Sequence, residues 1–334
     1  TYGAAGAYAC AAKIYGVFPQ FAGYAADLKA RAIQAFAWAQ AHPDVKFYNN
    51  DPRDHSEGLA AGQQEPDDYG RAMKALTAAI YLYDLTGDPA YRAYVDGHYH
   101  ENNIFRKGVT QDADYDQTAP LLHYTTLPGA TSAIAADIRQ RFAEGYEDGG
   151  WKAGALDPYM AQVSGYWWGS NGIKSSAGNV YADESRYGLS GHSAKADMDA
   201  AASYIHYLHG VNPLGKVYLS NMGAFGAENS VDRFYHTWFT HGSAKWDNVK
   251  HSTYGPAPGF LVGGANPRYN WAQGCPRLNP GCGSAPPSPP VGQPEQKSYT
   301  DFNETWPIDS WEVTENSEGY QVPYIRLLAR FVRQ

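Results

Sequence analysis

The stretch DDYGRAMKALTAAIYLYDLTGD, residues 67–88, decides the fold class of this chain. Its apolar residues Met73, Leu76, Ile80 and Tyr83 fall at the spacing that places side chains on one face of an α-helix. Acidic residues fill its first turn, where they interact favourably with the positive end of the helix dipole. The pattern predicts an amphipathic helix whose apolar face is buried in a helical core.

Similar patterns recur over the first two thirds of the chain and again at its end. Further helices are predicted at 2–16, 25–41, 89–98, 130–145, 159–182, 195–209 and 317–333. No alternating apolar and polar stretch is long enough to indicate a sheet. The sequence therefore predicts an all-α fold, with long loops after residue 213 in which a functional site is expected.

Residues 273–297, rich in Pro and Gly, have the composition of a linker. Because a well-patterned segment follows and ends in a core-like helix, we interpret them as a loop insertion within a single domain that spans 1–334. Cys275 and Cys282 lie in this loop, where a disulfide, two free thiols or half of a metal site would fit. A disulfide would suit an oxidising, extracellular setting.

Composition narrows the classes of function. The formal net charge is -8 and the basic residues are scattered, which argues against a nucleic-acid partner. The 27 Tyr and 9 Trp exceed what a core of this size requires. Aromatic rings beside polar groups suit sugars, which have apolar faces and hydroxyl edges. The alternative is that these counts only reflect a Tyr-rich composition of the kind found in secreted proteins.

Two kinds of targeting segment are not predicted. No run of 18 apolar residues indicates a membrane span, and the chain opens without the basic head and apolar stretch of a signal peptide. If the protein is secreted, we expect an earlier segment to have been removed.

Five motifs occur in an order that is specific when they are taken together. They are LTGDPAYRAYV at 85–95, WGSN at 168–171, YLHGVNPLGKVYLSNM at 207–222, YHTWF at 235–239 and PGFLVGGAN at 258–266. In this order they resemble the C-terminal two thirds of the catalytic domain of glycoside hydrolase family nine, which contains cellulases. The resemblance covers nearly all of the chain. It implies an (α/α)6 barrel, a toroid of helices with long loops, that lacks its N-terminal helices and forms a partial catalytic domain.

The final motif, SWEVTENSEGYQVPY at 310–324, contains three glutamates at steps of three. Alignment on Pro323 places the catalytic glutamate of the family on Glu315, which the resemblance makes the general acid. Such an acid has to hold its proton near neutral pH, and burial beside aromatic rings favours the protonated form. Glu312 and Glu318 are the alternatives, and a third interpretation is that all three only cap a helix N-terminus.

The same resemblance implies a set of substrate-binding residues. His236 matches a histidine that binds a glucosyl hydroxyl, and Trp238 stands where the family has an arginine, so it offers a stacking surface instead of a charge. Tyr235, Trp168, Asn171 and Trp311 complete the predicted set. Without the resemblance, an isolated histidine among aromatic residues is more often structural, and a Trp at a helix start is as often core packing.

The catalytic base is not found among the matched motifs. An inverting glycosidase needs a second carboxylate to activate water, and in this family an Asp of a DAGD motif has that role. GGWKAGALD, residues 149–157, looks similar but stands in the wrong order, so we interpret Asp157 as a decoy. The base Asp is instead expected on an N-terminal segment that precedes Thr1 and associates with this chain.

Metal sites are weakly indicated. Asp112, Asp114 and Asp116 are spaced like the start of a calcium loop but lack its Gly and distant Glu. Family members often bind calcium through an Asp-Glu pair whose positions are Met73 and Lys74 here, and these cannot ligate it. We therefore predict no metal ligands and no required cofactor, while a structural calcium elsewhere stays an open alternative.

The sequence thus predicts an extracellular, bacterial enzyme that hydrolyses β-1,4-glucosidic bonds in cellulose or related β-glucans by inversion. One alternative is an exo-acting relative that releases short cello-oligosaccharides or glucosamine units, because the insertion could close one end of the cleft. The other is a carbohydrate-binding scaffold without catalysis, because this sequence shows only half of the acid/base pair. The predicted partner in each case is a β-glucan chain.

Overall fold

The computed structural model describes most of the chain, in two compact units. The described residues are 1–48, 51–56, 65–107, 114–147, 151–235, 242–271, 283–302 and 311–332. We call Thr1–Val109 with Asp116–Phe142 unit 1, and Thr110–Tyr115 with Ala143–Gln334 unit 2.

Unit 1 is helical throughout its described elements. They are α1 (Tyr2–Tyr15), α2 (Ala22–Ala41), α3 (Asp68–Thr86), α4 (Pro89–His98), α5 (Asn103–Arg106), α6 (Tyr115–Tyr124) and α7 (Ser132–Tyr146). The first residue of α6 and the last turn of α7 are assigned to unit 2.

Helix α3 is the helix predicted from residues 67–88. The Asp67 side chain accepts a hydrogen bond from the Gly70 amide at 2.7 Å and so caps its start. Gly87 ends it with a φ of 70°, and its amide bonds to the carbonyl of Tyr83. The residues of the predicted apolar face, Met73, Leu76, Ile80 and Tyr83, are all buried.

Small residues let α1 and α3 approach each other closely. A Cβ added at Gly6 would lie 3.4 Å from the Cα of Ala78, so the two backbones are almost in contact there. Ala5, Ala9 and Ala12 are buried along the same helix. Close contact of this kind buries apolar surface without large side chains.

Unit 2 combines helices with two short strands and long connections. Its elements are α8 (Lys152–Gly154), α9 (Ser170–Tyr187), α10 (Ala194–Leu208), β1 (Val217–Ser220), β2 (Ser230–Val231), α11 (Trp311–Thr314) and α12 (Glu318–Leu328). The strands pair in parallel with an irregular register, a sheet too small for the alternation rule to detect. The prediction that the chain forms no sheet is therefore wrong for this pair.

A buried carboxylate joins α9 to the end of α12. Asp183 is fully buried and accepts hydrogen bonds from Arg326 at 3.3 Å and from Arg330 at 3.0 Å. The Tyr115 hydroxyl, also buried, donates to the same carboxylate. Because a buried charge needs such partners, this cluster determines how α12 lies on α9.

The prediction of a helix at 159–182 is wrong at its start. Residues 159–169 are not helical, and α9 begins at Ser170 after Gly169, which has a φ of 83°. Side chains satisfy the backbone of this extended stretch, since Lys174 donates to the Ala161 carbonyl and Tyr204 to that of Gln162. Buried apolar residues in an extended segment mimic a helical pattern over a short window.

The other predicted helices are confirmed to within a few residues, apart from the last. Helix α12 ends at Leu328, whereas the predicted one extends to residue 333. Helix α6 was not predicted, and Pro120 within it explains why, because proline removes a backbone donor and usually ends a helix.

Candidate active site

The three glutamates of the final motif lie in three different environments. Glu312 is buried in α11, and its carboxylate accepts hydrogen bonds from the Asn266 side chain and the Asn270 amide, both at 3.2 Å. Glu318 is exposed at the start of α12, where the Ser317 side chain caps the helix. Glu312 therefore connects α11 to Asn266 and Asn270, and Glu318 faces solvent in the first turn of a helix.

Glu315 lies between these two, half-buried in the turn that joins α11 to α12. Its Oε2 atom accepts a hydrogen bond from the Trp168 indole at 2.8 Å. The Tyr320 hydroxyl donates to the same oxygen at 3.5 Å. Burial, and then the nearby Glu315 charge, raise the pKa of Tyr320 well above its ordinary value, so this hydroxyl keeps the proton that it donates.

Two glycines make room for the Tyr320 ring. A Cβ at Gly169 would lie 2.6 Å from the ring, and one at Gly172 would lie 2.7 Å from it. Both distances are too short for any side chain, and the φ of 83° at Gly169 is also one that other residues rarely adopt. The glycines of WGSNG therefore have a steric role, which brings Tyr320 against the start of α9 and next to Glu315.

Aromatic rings gather on one side of Glu315. The rings of Trp168 and Trp311 are 5.6 Å apart between centroids and tilted by 34°. Tyr235 packs edge-on against Trp311 at 5.9 Å. The backbone amide of Tyr235 bonds to the carbonyl of Thr314, which connects the YHTWF motif to α11. Three residues predicted to bind substrate are thus brought together with the predicted acid.

The PGFLVGGAN loop holds the start of α9 beside α11. The Asn171 side chain donates to the Val262 carbonyl at 3.0 Å, and the Asn171 amide bonds to Gly263 at 2.9 Å. The amide of Gly264 in turn bonds to the Val313 carbonyl at 2.8 Å. Asn171 is only 1% exposed, so its described bonds are structural, and its contact with a sugar stays a prediction.

Gln321 connects the same loop to α12. Its side chain both accepts from the Leu261 amide at 3.0 Å and donates to the Leu261 carbonyl at 2.7 Å. Through these two bonds the glutamine makes a two-sided contact with the loop backbone. The next residue, Val322, is exposed.

Several predicted residues lie outside the described part of the chain. These are His236, Trp238, Cys275, Cys282 and Asp112. The roles predicted for them stay predictions.

The remaining carboxylate of the sequence analysis is Asp157. Its side chain is 5% exposed, and one oxygen accepts a hydrogen bond from the Tyr159 amide at 2.9 Å. That contact closes a local turn, and the interpretation of Asp157 as a decoy stays a prediction.

The described ranges contain neither a cluster of metal ligands nor a membrane-spanning helix. Within them, no group of three or more His, Cys, Asp or Glu side chains is placed to hold a metal ion. None of the helices described here is both long and apolar enough to cross a membrane.

The partners of Glu315 could not have been found from sequence alone. Trp168 precedes Glu315 by 147 positions, and no local pattern pairs the two. The usable signal was the order of the motifs, which places the WGSN helix start and the final motif in one fold. The requirement for glycine at 169 and 172 becomes visible only when the Tyr320 ring is in place.

Solved structures define the class of fold to which this arrangement belongs. The chain superposes on the family 9 endoglucanase J30 with a TM-score of 0.71 at 20% identity, over 99% of this chain and 53% of that chain. A metagenome-derived family 9 endoglucanase gives 0.69 at 22%, over 98% and 51%. AaCel9A in complex with cellobiose-like isofagomine gives 0.69 at 20%, over 99% and 55%. The all-α fold of the (α/α)6-barrel enzymes is thereby confirmed.

The chain belongs to glycosyl hydrolase family 9, since the sequence model of that family matches residues 1–328. It spans about half the length of the solved structures that it matches. No curated protein has a significantly matching sequence.

Proposed function

We propose that this chain provides the general acid, Glu315, of an inverting hydrolase that cleaves β-1,4-glucosidic bonds in cellulose or related β-glucans. The observation that carries the proposal is the half-buried Glu315 carboxylate, held by Trp168 and Tyr320 beside a group of aromatic rings. Membership of family 9 and the endoglucanase activity named for its structural neighbours support the same substrate class.

Two hydrogen bonds orient the Glu315 carboxyl group. Both Trp168 and Tyr320 donate to its Oε2 atom. We propose that the carboxyl group held in this way carries the proton that is transferred. In the proposed step this proton moves to the glycosidic oxygen as the C–O bond breaks, and the leaving sugar departs as a neutral alcohol.

The aromatic rings next to Glu315 are suited to hold the sugar. We propose that Trp168 and Trp311 stack against the apolar faces of glucose units. Tyr235 is only 7% exposed, so we propose that it lines the cleft by supporting the Trp311 ring edge-on. The proposed roles of His236 in binding a glucosyl hydroxyl, of Trp238 as a stacking surface and of Asn171 in lining the cleft rest on the family resemblance alone.

The proposed mechanism also requires a base. Inversion needs a second carboxylate about 6.5–9.5 Å from the acid, with room for a water between them. We propose that an Asp on a segment outside these 334 residues supplies it and that this segment associates with the chain. We therefore expect hydrolysis to be much faster when a segment encoded upstream of Thr1 is added than with the 334 residues alone.

The central test replaces Glu315 with glutamine. Glu315→Gln keeps the shape and the acceptor oxygen but cannot transfer a proton, so hydrolysis of carboxymethylcellulose should fall by about a hundred- to ten-thousandfold. Binding of cellohexaose should persist, because the stacking rings are unchanged. The assay uses the catalytically competent protein, with any upstream segment that activity requires.

Glu318→Gln is the matched control, since Glu318 is exposed one turn further on. It should leave hydrolysis within about twofold of the unmodified protein. Comparable losses from Glu315→Gln and Glu318→Gln would show that the glutamates act as a helix cap and that the proposed acid is wrong.

The mode of cleavage can be read from products. The neighbours named as endoglucanases favour internal cleavage, so the viscosity of a long soluble glucan should drop before short sugars accumulate. Release of only short cello-oligosaccharides or glucosamine units would identify the exo-acting alternative. We further propose that the protein is extracellular, because an insoluble polymer has to be degraded outside the cell.

A further inference from the structure

A non-helical segment of unit 2 leads into α9 and carries the residue that contacts the proposed acid. It comprises residues 161–168, and we call it the approach segment. Its last residue, Trp168, donates the 2.8 Å hydrogen bond to Oε2 of Glu315. The placement of the approach segment therefore determines where the indole N–H meets the carboxyl group.

Two buried side chains hold the far end of the approach segment. Lys174 of α9 donates from Nζ to the Ala161 carbonyl at 2.5 Å. Tyr204 of α10 donates from its hydroxyl to the Gln162 carbonyl at 2.6 Å. Lys174 is 0% exposed and Tyr204 is 2% exposed, so water does not compete for these bonds. Because the two carbonyls are consecutive and bond to different helices, the direction of the chain is fixed there.

Lys174 also contacts the aromatic ring of a residue closer to Trp168. Its Nζ atom lies 4.8 Å from the centroid of the Tyr166 ring and 3.8 Å from that of the Tyr207 ring. Tyr166 belongs to the approach segment and Tyr207 to α10, and both are buried. An ammonium group is attracted to the face of such rings, more strongly where water is excluded. One side chain of α9 thus connects the approach segment to α10.

The remainder of the approach segment transmits this placement to Trp168. Only Trp167 separates Tyr166 from Trp168, and two residues of chain span at most about 7 Å. The Trp167 ring folds back over Gly165, where an added Cβ would lie 2.3 Å from the ring. The Arg268 guanidinium lies 5.7 Å from the centroid of the same ring. A displacement at Tyr166 would therefore move Trp168, because the residue between them is itself held.

A lysine at this buried position has a cost that an apolar residue would not have. Burying an ammonium group is unfavourable unless bonds and opposite charge compensate it. Burial raises the pKa of Tyr166 and of Tyr207, and the charge of Asp157 contributes to both rises, so a negative charge lies near the rings that Lys174 contacts. What the ammonium group adds over a methionine of similar length is a directional bond to the approach segment.

We propose that Lys174 and Tyr204 are positioning residues for the proposed reaction, fixing the approach segment so that the Trp168 indole stays bonded to Glu315. The proposal rests on the function proposed for Glu315. Lys174 and Tyr204 are buried and act through Trp168 without touching the substrate. Loss of either bond should turn the indole away from Oε2 and leave the carboxyl group less well oriented for proton transfer.

The test follows the indole N–H signal of Trp168 by NMR in the full chain. The signal is identified as the one lost in Trp168→Phe, and Glu315→Ala gives its position without a carboxylate partner. A proton in a charge-assisted hydrogen bond resonates downfield. Lys174→Met should therefore move the signal upfield, toward its position in Glu315→Ala. Tyr204→Phe, which removes only a hydroxyl group, should move it in the same direction by less.

Hydrolysis of carboxymethylcellulose is measured on the catalytically competent protein. Lys174→Met should lower it by about ten- to a hundredfold, because a small displacement of an orienting group has an effect of that size. Lys195→Met is the matched control, since Lys195 is exposed on α10 and pairs with Asp199 at the surface. Tyr254→Phe, at a position 58% exposed, is the control for Tyr204→Phe. Both controls should leave the Trp168 signal and hydrolysis unchanged.

The proposal is overturned if the Trp168 signal keeps its position in folded Lys174→Met. A loss of stability without movement of the signal would show that Lys174 only fills the core, and a moved signal with unchanged hydrolysis would show that the indole does not serve the reaction. If Lys174→Met does not fold, the signal in Tyr204→Phe decides. Unchanged hydrolysis in Glu315→Gln would instead refute the proposed acid, and the NMR signal, which needs no turnover, distinguishes the two failures.

Discussion

The cores of the two units contain different kinds of buried polar residue. In unit 1 the residues that are buried as a whole and polar, among those described, are uncharged: Ser56, Asn102, Asn103 and Thr118. The Asp84 side chain is nevertheless only 8% exposed, and it pairs with Lys13 and His123. In unit 2 the described core buries more charged residues. These are Asp157, Lys174, Asp183, Glu184, Asp197, Asp232 and Glu312. The unit that contains the candidate acid is thus also the unit that buries more charge.

This contrast shows how precisely the packing of each core is specified. Unit 1 packs helices through small residues and rings, such as Phe36, which meets Tyr2, Tyr91 and Tyr94 edge-on at 5.4–5.6 Å between centroids. Such contacts require only approximate size and shape. In unit 2 each buried charge requires a particular partner, because an unpaired charge in the core is costly. Substitutions that remove the partner of a buried charge in unit 2 should therefore lower the free energy of unfolding more than conservative core substitutions in unit 1.

The largest effect is expected at Asp183. Asp183→Asn leaves Arg326 and Arg330 without their carboxylate and should lower the free energy of unfolding by about 3 kcal/mol. Urea unfolding followed by circular dichroism measures it. Asp199→Asn is the control, because its pair with Lys195 is exposed and worth about 0.5 kcal/mol or less. Equal losses in the two variants would mean that buried charge is not what distinguishes unit 2.

A second effect should depend on pH. The pKa of Glu184 is raised from 4.5 to about 8, chiefly by burial; the Trp151 hydrogen bond lowers it, and the charges of Asp197 and Glu147 contribute to the rise. Between these two pKa values the folded state holds a proton that the unfolded state has lost. Stability should therefore fall as pH rises from about 4.5 to 8, by up to about 1.4 kcal/mol per pH unit.

Glu184→Gln should remove this pH dependence, since a glutamine does not titrate. Relative to the unmodified chain, the variant should gain stability steadily between pH 5 and pH 8.5 in urea unfolding. Glu228→Gln, at an exposed position, should give a curve parallel to that of the unmodified chain. A parallel curve for Glu184→Gln as well would show that Glu184 is ionised in both states.

The smallest effect is expected in unit 1. Ile80 is fully buried in α3, and Ile80→Val removes one methylene, which should cost about 1 kcal/mol. Ile325→Val, at a position 60% exposed in unit 2, should change stability by less than about 0.5 kcal/mol. A loss in the free energy of unfolding above about 3 kcal/mol for Ile80→Val would show that the core of unit 1 is as sensitive to substitution as that of unit 2.

The same difference explains how far sequence reasoning succeeded. The helix at 67–88 was predicted because periodic apolar residues, an acidic start and helical packing all agree there. The helix at 159–182 was predicted with the wrong start, because Ala161, Val163 and Tyr166 are buried in a non-helical segment that is bonded by side chains of α9 and α10. Helix α6 was missed because Pro120 opposes the local rule while its leucines are buried by tertiary packing.

For the candidate site, the sequence alone determined the residue types, the order of the motifs and hence the family, because helical periodicity and motif spacing are local properties of the chain. It left Glu312, Glu315 and Glu318 as rivals with nearly identical local surroundings. Only the tertiary structure separated them, placing asparagines around Glu312, solvent around Glu318, and Trp168 with Tyr320 around Glu315. The physical reason is that burial and hydrogen-bond partners, which decide what a carboxyl group can do, come from residues far away along the chain.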